Sequence, residues 1–331
     1  MKRRDFIKST TIAGASGVFG QGCTSMGKAA KTPGPKFDVH PFVKNHPEAV
    51  FIYRTAIKSK RDTDAIRESG YRLAKDLIVK HSTDGYPETT RIVIKPNWTG
   101  AGPEDGKPVY EKLGANTDPN FIGGWGQGMR EAGPQQYYIR ESGSPQLWKD
   151  MGYYRLAERN NIDLRDMSSM DIWEMKRGDL NYFDKPDGVV FRKAVYMAPV
   201  NEPDTFLVNI AKLKAHGMGI TASIKNLQGL CPKRLKQFCT RYDKIRESYE
   251  KPYHKYFKKN LEKRIETLYA KHLNDGFPRW DKPGENGGIW MEQWCQRMLD
   301  SYSVIHPGIS MVEGIYSQDG NGFGSGPHEK L

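Results

Sequence analysis

With 51 Lys and Arg against 39 Asp and Glu in 331 residues, the chain carries a formal net charge of +12 and a mean hydropathy of −0.71. That length supports one large core or two smaller ones, and so polar a composition excludes a body built of membrane-spanning helices. The basic balance favours anionic partners in general; no zinc-finger spacing, RNA-binding sheet motif or repeated basic helix accompanies it, which sets nucleic acid aside.

Residues 1–35 read as an address and a linker. Arg3-Arg4-Asp5-Phe6-Ile7-Lys8 resembles the twin-arginine export signature, and a mild, glycine-rich apolar segment from Thr10 to Gly20 follows it. This segment is too short for a transmembrane helix. Cys23, after Gly20-Gln21-Gly22, stands in an imperfect lipobox and is the candidate membrane anchor, and Thr32-Pro33-Gly34-Pro35 marks a flexible spacer. The resemblance implies a protein that the twin-arginine export machinery delivers, already folded, to a bacterial periplasm or cell envelope. Cys231, Cys239 and Cys295 are the other cysteines. Cys231 and Cys239 are close enough in sequence to pair, although spacing alone does not fix their geometry. With no C-x-x-C, an iron–sulfur cluster held by this chain alone is not expected.

From Glu48 onward, strand and helix patterns alternate as in an α/β domain, taken as one unit over residues 36–331. Val50–Tyr53 reads as a first strand, and Asp62–His81 as a helix with Ile66, Leu73, Leu77 and Ile78 on one stripe. Arg91–Ile94 is a second strand broken by Pro96, which leaves Lys95 and Asn97 at a strand's carboxyl end, where open α/β sheets bind ligands. Thr99–Asp118 is a loop. A helix from Asp118 to about Glu131 contains Gly123, Gly124, Gly126 and Gly128, which suit either close ligand approach or tight helix packing. Tyr137–Arg140 is a third strand, ending in Glu141-Ser142-Gly143, with Ser144 and Pro145 opening the next helix. Leu147–Asn160 is read as one helix, Ile162–Leu164 as a short strand, and Asp179–Met197 as a hairpin with strands at 189–191 and 194–196. After residue 230 a basic helical insertion spans about 234–303, and Ile309–Val312 is a last strand running into Glu313-Gly314 and Asp319-Gly320. The expected fold is a mainly parallel sheet with helices on both faces, built of Rossmann-like units.

The most informative stretch is Asp204–Leu230. Phe206, Leu207, Val208 and Ile210 form a buried strand, and Lys212, Lys214 and His216 follow at a spacing of two, on one face if the strand continues. Gly217 and Gly219 turn the chain, Thr221 is placed to cap a helix, and Lys225 falls in that helix's first turns before Gly229 stops it. A strand end, a glycine turn and a cation-ringed helix start describe a site for phosphate, carboxylate or sulfate. The anion-binding set is Lys95, Asn97, Lys212, Lys214, Thr221 and Asn226. His216, Lys225 and Glu141 are the candidate catalytic groups, and Glu313 with Asp319 the candidate metal carboxylates.

Lys95-Pro96-Asn97, Glu141-Ser142-Gly143, the run from Val208 to His216, Thr221–Gly229 and the segment from Glu313-Gly314 to Gly326-Pro327 together resemble the family called domain of unknown function 362, over roughly residues 48–327. That family includes exported members and members fused to ferredoxin-like modules, and its name brings no activity. Its members usually continue past the final turn with another strand and helix, so the resemblance implies either a shortened chain or an unusual end to the sheet. A fainter similarity links His216 and Lys225, nine residues apart, to the nickel-pincer lactate racemases. Two function classes follow: an exported racemase-, isomerase- or redox-type enzyme for a small carboxylate or phosphorylated molecule, or a non-catalytic binding or accessory protein for an iron–sulfur or redox partner.

Overall fold

The computed structural model describes residues 35–81, 84–98, 114–142, 145–166, 174–216, 219–232, 253–275, 287–318 and 328–330. Its centre is a sheet in which five parallel strands stand side by side: β11 (Ile309–Gln318), β9 (Thr205–His216), β4 (Arg91–Pro96), β5 (Gln136–Glu141) and β6 (Ile162–Asp166). Two short antiparallel strands extend it, β12 (His328–Lys330) beside β11 and β10 (Gly219–Thr221) beside the end of β9.

Alternation along these strands explains why both faces are covered. In β4, Ile92 and Ile94 enter one core while Val93 enters the other; in β9, Phe206, Val208 and Ile210 face the first and Leu207 the second. The first core is closed by α2 (Thr63–Leu77), α3 (Pro119–Glu131), α4 (Pro145–Asp150) and α5 (Tyr153–Arg159). On the other face lie the hairpin of β7 (Leu180–Asp184) and β8 (Lys193–Met197), α6 (Ser223–Leu227), and parts of α7 (Leu261–Asn274) from the helical insertion. A further insertion helix, α8 (Gly287–Tyr302), packs beside α6. A small antiparallel sheet of β1 (Lys36–Val39), β2 (Ile78–His81) and β3 (Tyr86–Pro87) sits beside the main one, with Phe37 and Tyr86 both packed on the Phe206 ring. Between β1 and α2 the chain forms the one-turn helix α1 (Pro41–Lys44).

The glycines of α3 serve packing. A Cβ on Gly124 would lie 1.8 Å from the Arg67 carbonyl oxygen, and one on Gly70 would lie 2.2 Å from that of Phe121, so α2 and α3 touch backbone to backbone. Asp118 caps α3 by accepting from the Asn120 N–H at 2.7 Å.

Four expectations need correction. The helix expected over Asp62–His81 ends at Leu77, and Ile78–His81 forms β2, paired with β1. Val50–Tyr53 is not a strand: its residues have no regular structure and are exposed, Val50 by 88% and Ile52 by 83%, and the fifth parallel position belongs to β6. The run has β-favouring side chains, but it pairs with no strand among the described residues. Leu147–Asn160 is two helices, because Gly152 adopts a left-handed backbone, φ +78°, between α4 and α5. The hairpin pairs 180–184 with 193–197; the backbone N–H groups of Val189, Val190 and Phe191 turn instead onto the carboxylate of Asp300 at 2.7–2.9 Å, which takes the donors a strand would need. Much of the basic helical stretch, residues 233–252, lies outside the described residues.

Candidate functional site

β11, β9, β4 and β5 are parallel neighbours, so their carboxyl ends share one rim. Lys95 and Asn97 at the end of β4, Glu141 closing β5, Lys212 and Lys214 in β9, Glu313 in β11, and Lys225 and Asn226 from α6 are all buried there. Lys95, Lys212 and Lys214 are each 1% exposed and Lys225 is 6% exposed. Charges so deeply buried need partners.

Lys95 and Lys212 each face a glutamate. Lys95 Nζ lies 2.5 Å from Glu141 Oε2 and also donates to the Asn226 side chain at 3.1 Å and to the Pro96 carbonyl. The Glu141 carboxylate accepts further from the backbone N–H of Trp98 at 3.2 Å and of Ser142 at 2.8 Å. Asn226 ties this knot to its neighbours: its Oδ1 accepts from Asn97 Nδ2 at 2.9 Å, and its Nδ2 donates to the Lys95 carbonyl and to Asn209 Oδ1. Burial lowers the Lys95 pKa, and the adjacent Glu141 carboxylate opposes that drop.

The second pair stands one strand over. Lys212 and Glu313 face each other in the β9–β11 register, Nζ to Oε2 2.5 Å. Glu313 also accepts from the Asp118 N–H at 3.3 Å and, through Oε1, from the Ile315 N–H at 2.9 Å. Beside it the buried carboxyl of Asp118 is pushed up to about 6, first by burial and then by the Glu313 charge. Thr117 stitches the strands together, accepting from the Asn97 N–H at 2.9 Å and donating to the Ile210 carbonyl at 3.0 Å. Over it, Trp98 and Tyr153 stack with ring centroids 3.6 Å apart.

The remaining two lysines crowd each other. Lys214 Nζ donates to the Ala115 carbonyl at 2.6 Å, and its pKa lies well below the ordinary lysine value through burial, then through the charges of Lys225 and Lys212. Lys225 lies over the Trp294 ring, 5.3 Å from its centroid. Next to Ala115, Asn116 is fully buried with both amide atoms unbonded. A buried, unsatisfied amide marks a place where a ligand group or water completes the hydrogen bonds.

Most of the expected site residues therefore meet. The backbone of His216 ends β9, pairing with Gly219, and Thr221 pairs with Lys214 within β10. Thr221 is thus not the helix cap. That position belongs to Ala222, which has no side-chain cap bond, and α6 has only five residues. So short a helix has little dipole, and the side-chain cations rather than the helix start create the positive field. Gly229 serves space rather than helix termination: a Cβ there would lie 2.2 Å from Glu141 Oε1 and 2.6 Å from Lys95 Cε. Asp319 lies outside the described residues, as do Ser144 and Cys239; among the described residues no three His, Cys, Asp or Glu side chains gather as a metal site.

Sequence reasoning missed Asp118, Thr117 and Asn116, which were read only as a loop and a helix start. The cue was available in the Asn-Thr-Asp-Pro run before an apolar helix, three polar residues at a cap where a buried helix start needs them. No described helix is long and apolar enough to cross a membrane.

Comparison with curated proteins and with solved structures finds no match. The family model described as Domain of unknown function (DUF362) matches residues 92–331, which hold the main sheet from the second residue of β4 onward and the whole rim. The chain belongs to this family.

Proposed function

We propose that the rim is an anion-binding site in which Lys214 and Lys225 hold a small carboxylate or phosphorylated molecule, in a protein exported to the bacterial periplasm or cell envelope. The observation that carries this reading is four buried lysines converging on one rim, where the charges of Lys225 and Lys212 both work against that of Lys214. An anion between Lys214 and Lys225 would relieve their repulsion and supply charge-assisted hydrogen bonds. Asn116 is the neutral donor and acceptor that would orient it.

Lys95 and Lys212 act in this reading as fixed posts whose positive charge is spent on Glu141 and Glu313, with Asn97, Asn226 and the Thr221 strand framing the site. His216 is the proton carrier of an isomerase- or racemase-type reaction, in keeping with its resemblance, with Lys225, to the lactate racemases. A binding or accessory role is the second reading. It is favoured by the engagement of both Glu141 oxygens, which leaves that carboxylate holding Lys95 rather than poised to take a substrate proton. Export rests on Arg3-Arg4, and membrane anchoring on Cys23. Changing both arginines to lysine should retain the protein in the cytoplasm; unchanged periplasmic delivery would remove that part of the reading.

Calorimetry with phosphate, sulfate and small carboxylates on the parent and on Lys225→Met tests the site. The variant keeps the apolar stem, so folding should survive, and losing one charge-assisted partner should weaken binding roughly tenfold. Equal affinity in a variant as thermostable as the parent would reduce the rim to a structural network. His216→Ala separates the two classes: an enzyme loses turnover and keeps binding, whereas a binder shows only a change in affinity.

A further inference from the structure

The opposite end of the sheet holds charge of another kind. A groove of about 490 Å³ lies where α2 passes the last turn of α3 and the end of α5, with Arg67, Gln127, Arg130, Glu131, Arg159 and Asn160 in its walls. Arg130 and Asn160 come shortly before β5 and β6 begin, so the groove sits at the strand starts, roughly 17–20 Å of strand away from the rim.

Two of its arginines are held in place, and the third, Arg159, is exposed at the end of α5. Arg67 crosses α3 over Gly123, where a Cβ would lie 2.7 Å from Nη1, and it donates to Gln127 Oε1 at 2.9 Å. Arg130 stacks over the buried Tyr137 ring, 4.1 Å from the centroid, and donates to the Asn160 carbonyl. The Tyr137 hydroxyl is buried and makes no hydrogen bond. Among the described residues none of Arg67, Arg130 and Arg159 forms a salt bridge. Glu131, the carboxylate in the groove, is already held by Lys75 at 2.8 Å and by the Tyr71 hydroxyl at 3.0 and 3.2 Å. Burial and the neighbouring Arg67 both work against the charge on Arg130, and a bound anion would offset both. Guanidinium forks match phosphate oxygens two at a time, and three of them around one groove suit a ligand whose charge is spread over linked anionic groups.

We propose that this groove is a second ligand site, separate from the rim, that binds a small diphosphate-bearing molecule through Arg67, Arg130 and Arg159. Inorganic pyrophosphate is the probe, titrated into the full chain carrying Lys225→Met so that the rim contributes little. One saturable site is expected, with affinity lowered at least tenfold when Arg67→Gln and Arg159→Gln are added, and with citrate binding at least tenfold more weakly than pyrophosphate. Arg67→Lys with Arg159→Lys keeps charge and fold but loses the fork, and should weaken pyrophosphate severalfold, which keeps the test decisive if the glutamine pair fails to fold. The proposal is overturned if the Lys225→Met chain binds no pyrophosphate, if the arginine changes leave its affinity intact, or if citrate binds as tightly.

Discussion

The rim contains two lysine–glutamate pairs of the same length, and their surroundings make them different devices. Lys95–Glu141 is sealed: every donor and acceptor has a fixed neighbour, Asn226 locks it to Asn97 and Asn209, and the backbone at Gly229 closes over it without room for a methyl group. Lys212–Glu313, one strand away, shares its space with Asp118, whose carboxyl is pushed up to about 6 by burial and by the Glu313 charge, and with Lys214, whose ammonium is disfavoured. The contrast separates structure from function within one rim. A pair with all its partners stiffens the sheet end, whereas a pair with surplus titratable neighbours leaves charge for a ligand to settle.

The largest effect should come from breaking the sealed pair. Glu141→Gln leaves Lys95 buried without its counter-ion and should destabilise the protein by about 3–5 kcal/mol in denaturant unfolding. Glu313→Gln should cost clearly less, because Asp118 can ionise beside Lys212 once the Glu313 charge is gone. Equal losses would show that the two pairs are the same device after all.

Next comes Asp118. Its folded pKa of about 6 lies above its ordinary 3.8, so between those values the folded chain keeps a proton that the unfolded chain has released. Stability therefore falls as pH rises through about 4 to 6 and stays lower above it, by roughly 3 kcal/mol for a shift of about two units. Asp118→Asn keeps a side-chain oxygen for the cap at Asn120 and should flatten that slope, leaving the variant more stable than the parent at pH 7. A pH-stability profile identical to the parent's would contradict the environment assigned to Asp118.

Gly229→Ala should follow, at about 1–3 kcal/mol, since its methyl group must displace Glu141 or Lys95. Its melt should also show that the loss is not additive with Glu141→Gln, because both act on one knot.

Much of this organisation could be read from the chain, for identifiable reasons. The strands at 91, 137, 206 and 309 declare themselves by apolar runs ending in polar turns, and Lys212 and Lys214 follow from spacing, because a strand's period of two leaves few alternatives, whereas Asn226 comes from the family resemblance. What spacing could not supply was pairing at a distance. Glu313 meets Lys212 across a parallel register set by the whole sheet, and Asp300 captures the 189–191 backbone from more than a hundred residues away. Val50–Tyr53 failed in the opposite direction: its composition favours a strand, but β propensity expresses packing within a sheet, and this exposed run pairs with no strand among the described residues.

The most direct measurement of the central claim is the proton balance of anion binding. If Lys214 and Lys225 hold the ligand, binding restores the charge on an ammonium whose pKa burial and like charges have lowered, so protons are taken up and affinity weakens as pH rises. Calorimetric titration of the preferred anion over a series of rising pH values, in buffers of different ionisation enthalpy, should give proton uptake that grows with pH in the parent and does not in Lys214→Met. Binding without proton uptake, at the same affinity in both proteins, would contradict the account.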